Sequence, residues 1–438
     1  MVKWRDTITQ GDIIMNEKPT PPDVPIEKLH SQTLERISRS RPKLISIGRA
    51  LEAIPRMKSN LFLHPGPPIT WDRMSDVLRG AVIGAILYEG IAETEEEAQV
   101  MAAQGRVDFE PCHDHKAVCV GASVISPSMP VCIIKNETYN NLSYCTLSEG
   151  PGKVLRYGAY KADAIDRLEW VEKTLAPVLR QAVAAAGGLD LCDIMTQAIQ
   201  MGDELNQQTK AATALFIRTL VPYMVKTCPN REMLTQILFF LNSHTPFFQN
   251  LAMATAKSAL DAAHGIPGSR VVTAMSHNGT DFGIQVSGLG DTWFTAPIDP
   301  PTGAFLPGFT ELDAQPTVGD SAVMETYGLG ALALVNAPAT FAIVGGTADK
   351  AREITDAMYA ITVGESVTYT LPFLSMRGVP AGIDVEQVRR RGLAPYLLLE
   401  IINKLPGGGT IGIALQQAPL KPFEDAASRL EENKPDDQ

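Results

Sequence analysis

Ten residues, PCHDHKAVCV from Pro111 to Val120, carry two histidines, two cysteines and an aspartate. Thiolate, imidazole and carboxylate all offer lone pairs to zinc or a similar ion, so Cys112, His113, Asp114 and His115 are each ligand candidates. The spacing is not that of a structural zinc site, which pairs ligands two to four residues apart and repeats the pair further along. In an extended segment His113 and His115 share one face and Cys112 and Asp114 the other, so at most two imidazoles face one ion. Three readings stand side by side: a polar active-site wall, hydrogen-bonded structural histidines, and a metal site completed by His64 or Glu149 from elsewhere. The expectation is a pocket wall with no tightly held metal and no cofactor, in which His113 matters more than His115.

Four further segments carry candidate chemistry. HPGPPITW sets His64 in a proline-rigid turn before a helix whose expected cap is Thr70, with Asp72 in its first turn; His64 serves there either as an acid–base group or as a loop anchor. SEGPGKVLR offers the backbone N–H groups of Gly150 and Gly152 with Lys153 and Arg156 at an expected helix start, the chemistry that a phosphate or carboxylate needs, and Glu149 lies beside them. An ordinary Gly-Pro-Gly loop is the plain alternative. MGDELNQQTK interrupts an apolar helix face with Asp203 and Glu204, either as a solvated helix end or as a patch facing substrate. GDSAVMETYGLG places Asp320 and Glu325 among turn glycines, whereas Asn278 before Gly279 reads as a turn former. The candidate catalytic residues are therefore His64, His113 and Glu325, and the candidate substrate-binding residues Lys153, Arg156, Glu149, Asp203 and Glu204. No GxSxG elbow, CxxC pair or phosphate loop is present, and GGT at Gly345 to Thr347 lacks the dinucleotide-binding spacing, which removes the easiest hydrolase and redox readings.

The elements that must position these residues are mixed. At 438 residues the chain exceeds one ordinary core, and 45% hydrophobic with 20% charged residues is a globular composition. Residues 1–38 hold Pro19, Pro21, Pro22 and Pro25 and read as an extended arm. Residues 39–162 read as a mixed α/β domain and 163–266 as a helical one, with Leu234, Ile237, Leu238 and Leu241 on one face and Ile194, Ala198, Met201 and Leu205 on another. In residues 267–422 the period becomes two. SRVVTAM, an Asn278-Gly279 turn, DFGIQVSGLG and TWFTAP read as an antiparallel meander, and TFAIVGG as a strand before the helix ADKAREITDAMYAI. Residues 423–438 read as a flexible tail. The fold class is α+β and multi-domain, with mixed regions flanking a helical one.

The net charge of −11 argues against a nucleic-acid partner, which needs concentrated Lys and Arg. The candidate for a membrane span, Gly80–Tyr88 between Arg79 and Glu89, is far too short to cross a bilayer and reads as a buried helix. No signal-peptide pattern opens the chain, and six unpatterned cysteines fit reduced thiols, so a cytoplasmic location is expected.

The blocks HPGPPITWDRMS, RGAVIGA, PCHDHKAV, TLSEGPGKVLRYGAY, MGDELNQ, FFQNLAMA, VTAMSHNGTDFGIQVSGLGDTWFTAP and GDSAVMETYGLG together resemble the YlbE-like family. The resemblance covers roughly Arg39 to Pro422, and the family is associated with the oxamate carbamoyltransferase of allantoin-utilisation gene clusters. It implies a subunit of a heteromeric, oligomeric enzyme that passes carbamoyl between carbamoyl phosphate and a small anionic amide or ureido compound, alongside a FdrA-type subunit. It carries no assignment of catalytic residues. Carbamoyl transfer requires no covalent nucleophile, only placement of an amide nitrogen against the carbamoyl carbon and donors for the developing charge, which suits the inventory above. Two other readings remain: a non-catalytic scaffold for the FdrA-like partner, and a metal-dependent amidohydrolase built on His113 and His115.

Overall fold

The computed structural model describes residues 24–343 and 345–433. Helices pack around several small, mostly antiparallel sheets, an α+β architecture. In the five-stranded sheet, Pro42–Arg49 lies between Pro130–Asn136 and Leu189–Asp190, antiparallel to both. Leu142–Thr146 pairs outside Pro130–Asn136, and Ala117–Val118 closes that edge in parallel. Leu44 and Ile47 are both buried although three residues apart, which a period of two forbids; a register shift between Leu44 and Ser46 turns both to the core.

The helix Gln249–Ala262 lies at the centre. All its residues but Asp261 are buried, because alanine and serine all round its surface let neighbours approach every face. It touches the five-stranded sheet, the strand Val272–Asn278 and the short helix Val323–Thr326. The largest cluster of buried apolar side chains runs from Ile37 through the first sheet and the helices after Asp163 to Leu371 and Val379. It crosses both sequence boundaries expected at 162 and 266.

The C-terminal meander is present: Val272–Asn278, Asp281–Val286 and Phe294–Pro297 pair antiparallel in order, with Val318–Gly319 added at the other edge. The hairpin turns at Gly279, φ +85°, as the Asn-Gly pair predicts.

Several expectations are corrected. Residues 1–23 lie outside the described residues, but Ile26–Arg39 is an α-helix, not extended arm, since Leu29, Thr33 and Ile37 form a buried stripe four residues apart. Residues 434–438 also lie outside, while Lys421–Glu432 is helical, with Phe423, Ala426 and Ala427 packed on the third core. TFAI does not form a strand but the end of the helix Pro338–Ile343. A short apolar run is ambiguous by period, and Pro338 pre-sets the first helical turn. Thr70 caps no long helix: a 3₁₀ turn, Trp71–Arg73, intervenes, and Ser75 caps Asp76–Tyr88 by accepting from the Leu78 N–H. The helix Leu191–Gln200 ends before Met201 and Leu205, so Met201 is exposed and only Ile194 and Ala198 share its buried face. Among the described residues no helix is long and apolar enough to cross a membrane.

Candidate functional site

The strand Leu61–His64 pairs in parallel with Asp108–Pro111, with His64 opposite Pro111, so the HPG and CHDH turns leave from the same end. Val318–Gly319 pairs with Asn278 and His277, which delivers Asp320 to the same place. Gly66 sits at φ +84°, and a Cβ there would come within 2.5 Å of the Asn278 nitrogen, so only glycine lets the His64 turn lie against that strand. The Asn278 side chain then donates to the Pro67 carbonyl at 3.0 Å.

Asp320 is the buried centre of this junction. Its carboxylate accepts from the N–H of Gly66 at 3.0 Å, the N–H of Cys119 at 2.7 Å and the hydroxyl of Ser276. Its own N–H returns a bond to the Cys119 carbonyl at 2.9 Å. Burial pushes its carboxyl up to about 6, while the three donors pull the other way, so it is mostly ionised at neutral pH.

His64 is fully buried. Its Nδ1 faces the Pro65 carbonyl at 2.9 Å; a carbonyl only accepts, so Nδ1 carries the proton and Nε2 presents a lone pair that no protein group uses. Burial holds this imidazole down to about 4, hence neutral.

His113 and His115 do not share a strand face, because Cys112–His115 is a 3₁₀ turn closed by Lys116 in the left-handed region. His113 turns inward. Its Nε2 stands 3.5 Å from Asp320 Oδ1, its ring meets Trp293 edge-on, and both ring nitrogens lack hydrogen-bond partners. Burial, with the Lys257 charge adding to it, holds its pKa well below the usual value. His115 turns the other way and engages the Glu110 carboxylate at 2.5 Å and the Pro55 carbonyl at 2.9 Å. The same turn brings Cys112 Sγ within 3.3 Å of Cys119 Sγ, and these two with Asp320 form the one set of donor atoms close enough for a metal among the described residues.

Glu149 and Arg156 adjoin this junction across the backbone of Gly121, whose neighbour Ala122 donates to the Arg156 carbonyl at 2.8 Å. Both side chains are buried. Arg156 was expected to face solvent or ligand; instead its guanidinium lies 4.6 Å over the Tyr157 ring, and its Nε is buried without a partner. Glu149 accepts weakly from Ser123 and from the Arg156 N–H, both at 3.4 Å, and burial raises its carboxyl pKa. Lys153 is exposed, on the turn between them. No helix begins here; Leu155–Tyr157 is a single 3₁₀ turn.

Asp203, Glu204 and Glu325 form a separate buried cluster. Glu325 Oε1 accepts from Asn206 Nδ2, Ala331 N–H and Leu398 N–H at 2.9, 3.0 and 3.2 Å. Glu204 accepts from the N–H groups of Asn206 and Gln208, and Asp203 from that of Ala212. The segment after Gln200 is thus neither a solvated helix end nor a helix face but a buried polar loop. Burial pushes Glu204 up to about 8, Glu325 to about 7 and Asp203 to about 6.

Sequence reasoning missed Ser276 and Lys257. Lys257 is almost fully buried in the central helix and donates to Asp261 at 2.7 Å. Its signal was a lone cation inside FFQNLAMATAKSAL. Asn278 was read only as a turn former, and the HPG contact gives it a second task.

A family model described as oxamate carbamoyltransferase subunit AllG matches residues 107–321, from just before the CHDH turn through Asp320. The oxamate carbamoyltransferase subunit AllG of Escherichia coli (strain K12) is 38% identical over 411 residues, 93% of this chain and 98% of that protein. The uncharacterized protein YahG of the same strain is 41% identical over 401 residues, 92% of this chain and 85% of that one. The crystal structure of a conserved protein of unknown function from Enterococcus faecalis V583 superposes with a TM-score of 0.92 at 40% identity, covering 94% of this chain and 98% of the other.

Proposed function

Because the chain belongs to the AllG family, we propose that it is a subunit of a heteromeric carbamoyltransferase and contributes groups to the transfer site, with oxamate and carbamoyl phosphate giving oxalurate and phosphate. The observation that supports this most is the junction itself. His64, Asp320, Glu149 and Arg156 are buried ionisable groups on turns far apart in sequence, and those turns are tied to one another by the Gly66 and Cys119 N–H groups on Asp320 and by the Ala122 N–H on the Arg156 carbonyl, an arrangement that packing alone does not call for.

In this reading the amide nitrogen of oxamate attacks the carbamoyl carbon, the carbon–oxygen bond to phosphate breaks, and the nitrogen gives up one proton. The His64 Nε2 lone pair accepts that proton, its neutral state at pH 7 leaving it free to do so. The unpartnered Nε of Arg156 holds the oxamate carboxylate, with Glu149 limiting which anion fits. Lys153, on the exposed turn, draws anions toward the entrance. Asp203, Glu204 and Glu325, in their separate cluster, take no part in this step. A FdrA-type subunit completes the complex in the cytoplasm.

The test is phosphate release from carbamoyl phosphate with oxamate, by the chain alone and with its partner subunits. Activity is expected only in the assembled complex, and Arg156→Gln is expected to raise the KM for oxamate at least 10-fold, about the loss of one charge-assisted hydrogen bond. An unchanged KM removes Arg156 from the site. The scaffold reading draws on the way Asp320 spends both oxygens, and Glu325 its Oε1, on backbone N–H groups; it gains if every junction variant leaves the assembled complex fully active.

A further inference from the structure

The Cys112–Cys119 pair has no task in the chemistry above, and neither has His113. Cys112 Sγ and Cys119 Sγ are 3.3 Å apart, and with an Asp320 oxygen all three donors lie within 4.8 Å of one another. His113 Nε2 lies 3.5 Å from the same carboxylate. All four side chains are buried.

The edges of a zinc tetrahedron run from about 3.3 Å between two nitrogen or oxygen donors to about 3.8 Å between two sulfurs, for bond lengths of ~2.0 Å and ~2.3 Å, so the thiols part slightly and the wider separations close as an ion binds. The spacing objection drawn from the sequence does not survive the fold. The 3₁₀ turn at Cys112 and the strand Ala117–Val118 fold the two thiols back on each other, so seven positions in sequence become adjacent atoms in space.

Asp320 has room for an ion. An ionised carboxylate offers about four lone-pair directions, and Gly66, Cys119 and Ser276 use three. His113 is the independent observation. A buried imidazole with neither nitrogen bonded leaves an N–H and a lone pair unsatisfied, an arrangement that folded chains avoid. Ligation through Nε2 would use the lone pair, and its aim at Asp320 is the aim such a ligand needs.

We propose that Cys112, Cys119 and Asp320 form the core of a binding site for one divalent, thiolate-preferring ion such as Zn²⁺, with His113, which stands outside that set of donors but beside the same carboxylate, closing onto the ion as the fourth ligand. With His113 closed in, four protein ligands fill the coordination sphere, so the ion ties the CHDH turn, Cys119 and the Gly319-Asp320 corner together. The imidazole is neutral beforehand, and the thiolates form as the ion binds, with release of the two thiol protons. The inference stands independently of carbamoyl transfer, since its readouts are spectroscopic.

The test uses the full chain, expressed with zinc, purified without chelator, and in parallel reduced anaerobically and titrated with Co²⁺. The expected result is about one equivalent of metal, a thiolate-to-cobalt charge-transfer band with tetrahedral d–d bands, and X-ray absorption on the zinc form showing two sulfurs at about 2.3 Å. Cys112→Ser and Cys119→Ser should each abolish the charge-transfer signature of a two-thiolate site. His113→Gln should weaken cobalt binding by more than the roughly 100-fold that the loss of an outer-shell partner costs. The proposal is overturned if the reduced, folded parent chain gives no charge-transfer band, if bound zinc shows no sulfur neighbours, or if the thiols are found joined as a disulfide that, once reduced, takes up no metal. The parent-chain spectra decide the matter even if a cysteine variant fails to fold.

Discussion

Two carboxylates in this chain do the same physical work in different places. Asp320 gathers donors from Gly66, Cys119 and Ser276 and Glu325 from Asn206, Ala331 and Leu398, so each joins segments far apart in the sequence. Removing such a group leaves several buried N–H groups unmet, and Asp320→Ala is expected to cost about 3–5 kcal/mol of stability, read by denaturant unfolding. A loss below about 1 kcal/mol would show that water replaces the carboxylate freely.

The buried carboxyls also set a pH dependence. Glu204 and Glu325 titrate near 8 and 7 in the folded chain against an ordinary 4.5, so the stability they add is full below pH 4.5 and is lost as pH rises through 7 to 8. His64, His244 and His277, held by burial near 4 against 6.5, act in the opposite sense: their contribution is present above pH 6.5 and is lost as pH falls toward 4. Between pH 6.5 and 8 the carboxyls alone of these groups are changing, so Tm should fall across that interval, and Glu204→Gln should flatten the fall. A Tm that rises there would refute the assignment. At this scale the sequence was partly legible. His64 and His113 stood out because imidazoles are few, whereas the place of Glu325 was invisible, since nothing local says that Leu398 will come to meet it.

At the level of elements, the junction depends on turns that accept no side chain. Gly66 combines a left-handed φ with a neighbour 2.5 Å from any added Cβ, so Gly66→Ala should lower Tm and displace the His64 turn, by more than the roughly 1 kcal/mol of an ordinary glycine exchange. Ser75→Ala, by contrast, removes only a cap and should cost about 1 kcal/mol without touching activity. Elements with a strong local signal were readable in advance: the Asn278-Gly279 hairpin and the helix after Thr347. TFAI was misread because four apolar residues suit either period, and CHDH because a 3₁₀ turn has no pattern of its own. That second misreading hid the approach of Cys112 to Cys119.

Across the whole molecule, the helices after Asp163 share one apolar cluster with the first sheet and with the segment around Val323–Val379. Sequence periodicity separates these regions because it reports each element's own faces and not what covers them. With so continuous a core, thermal unfolding is expected to be one cooperative transition, and a fragment of residues 163–266 alone should show no sharp melt. Two resolved calorimetric transitions would establish the separate helical unit that the sequence pattern suggested. The central claim, that the buried junction around His64 serves carbamoyl transfer, is tested most directly by the rate of oxalurate formation in the assembled complex carrying His64→Gln. The account predicts a kcat lower by about 10²-fold or more, the usual contribution of a positioned proton acceptor, with Tm close to the parent value. A parental kcat in that variant would contradict it.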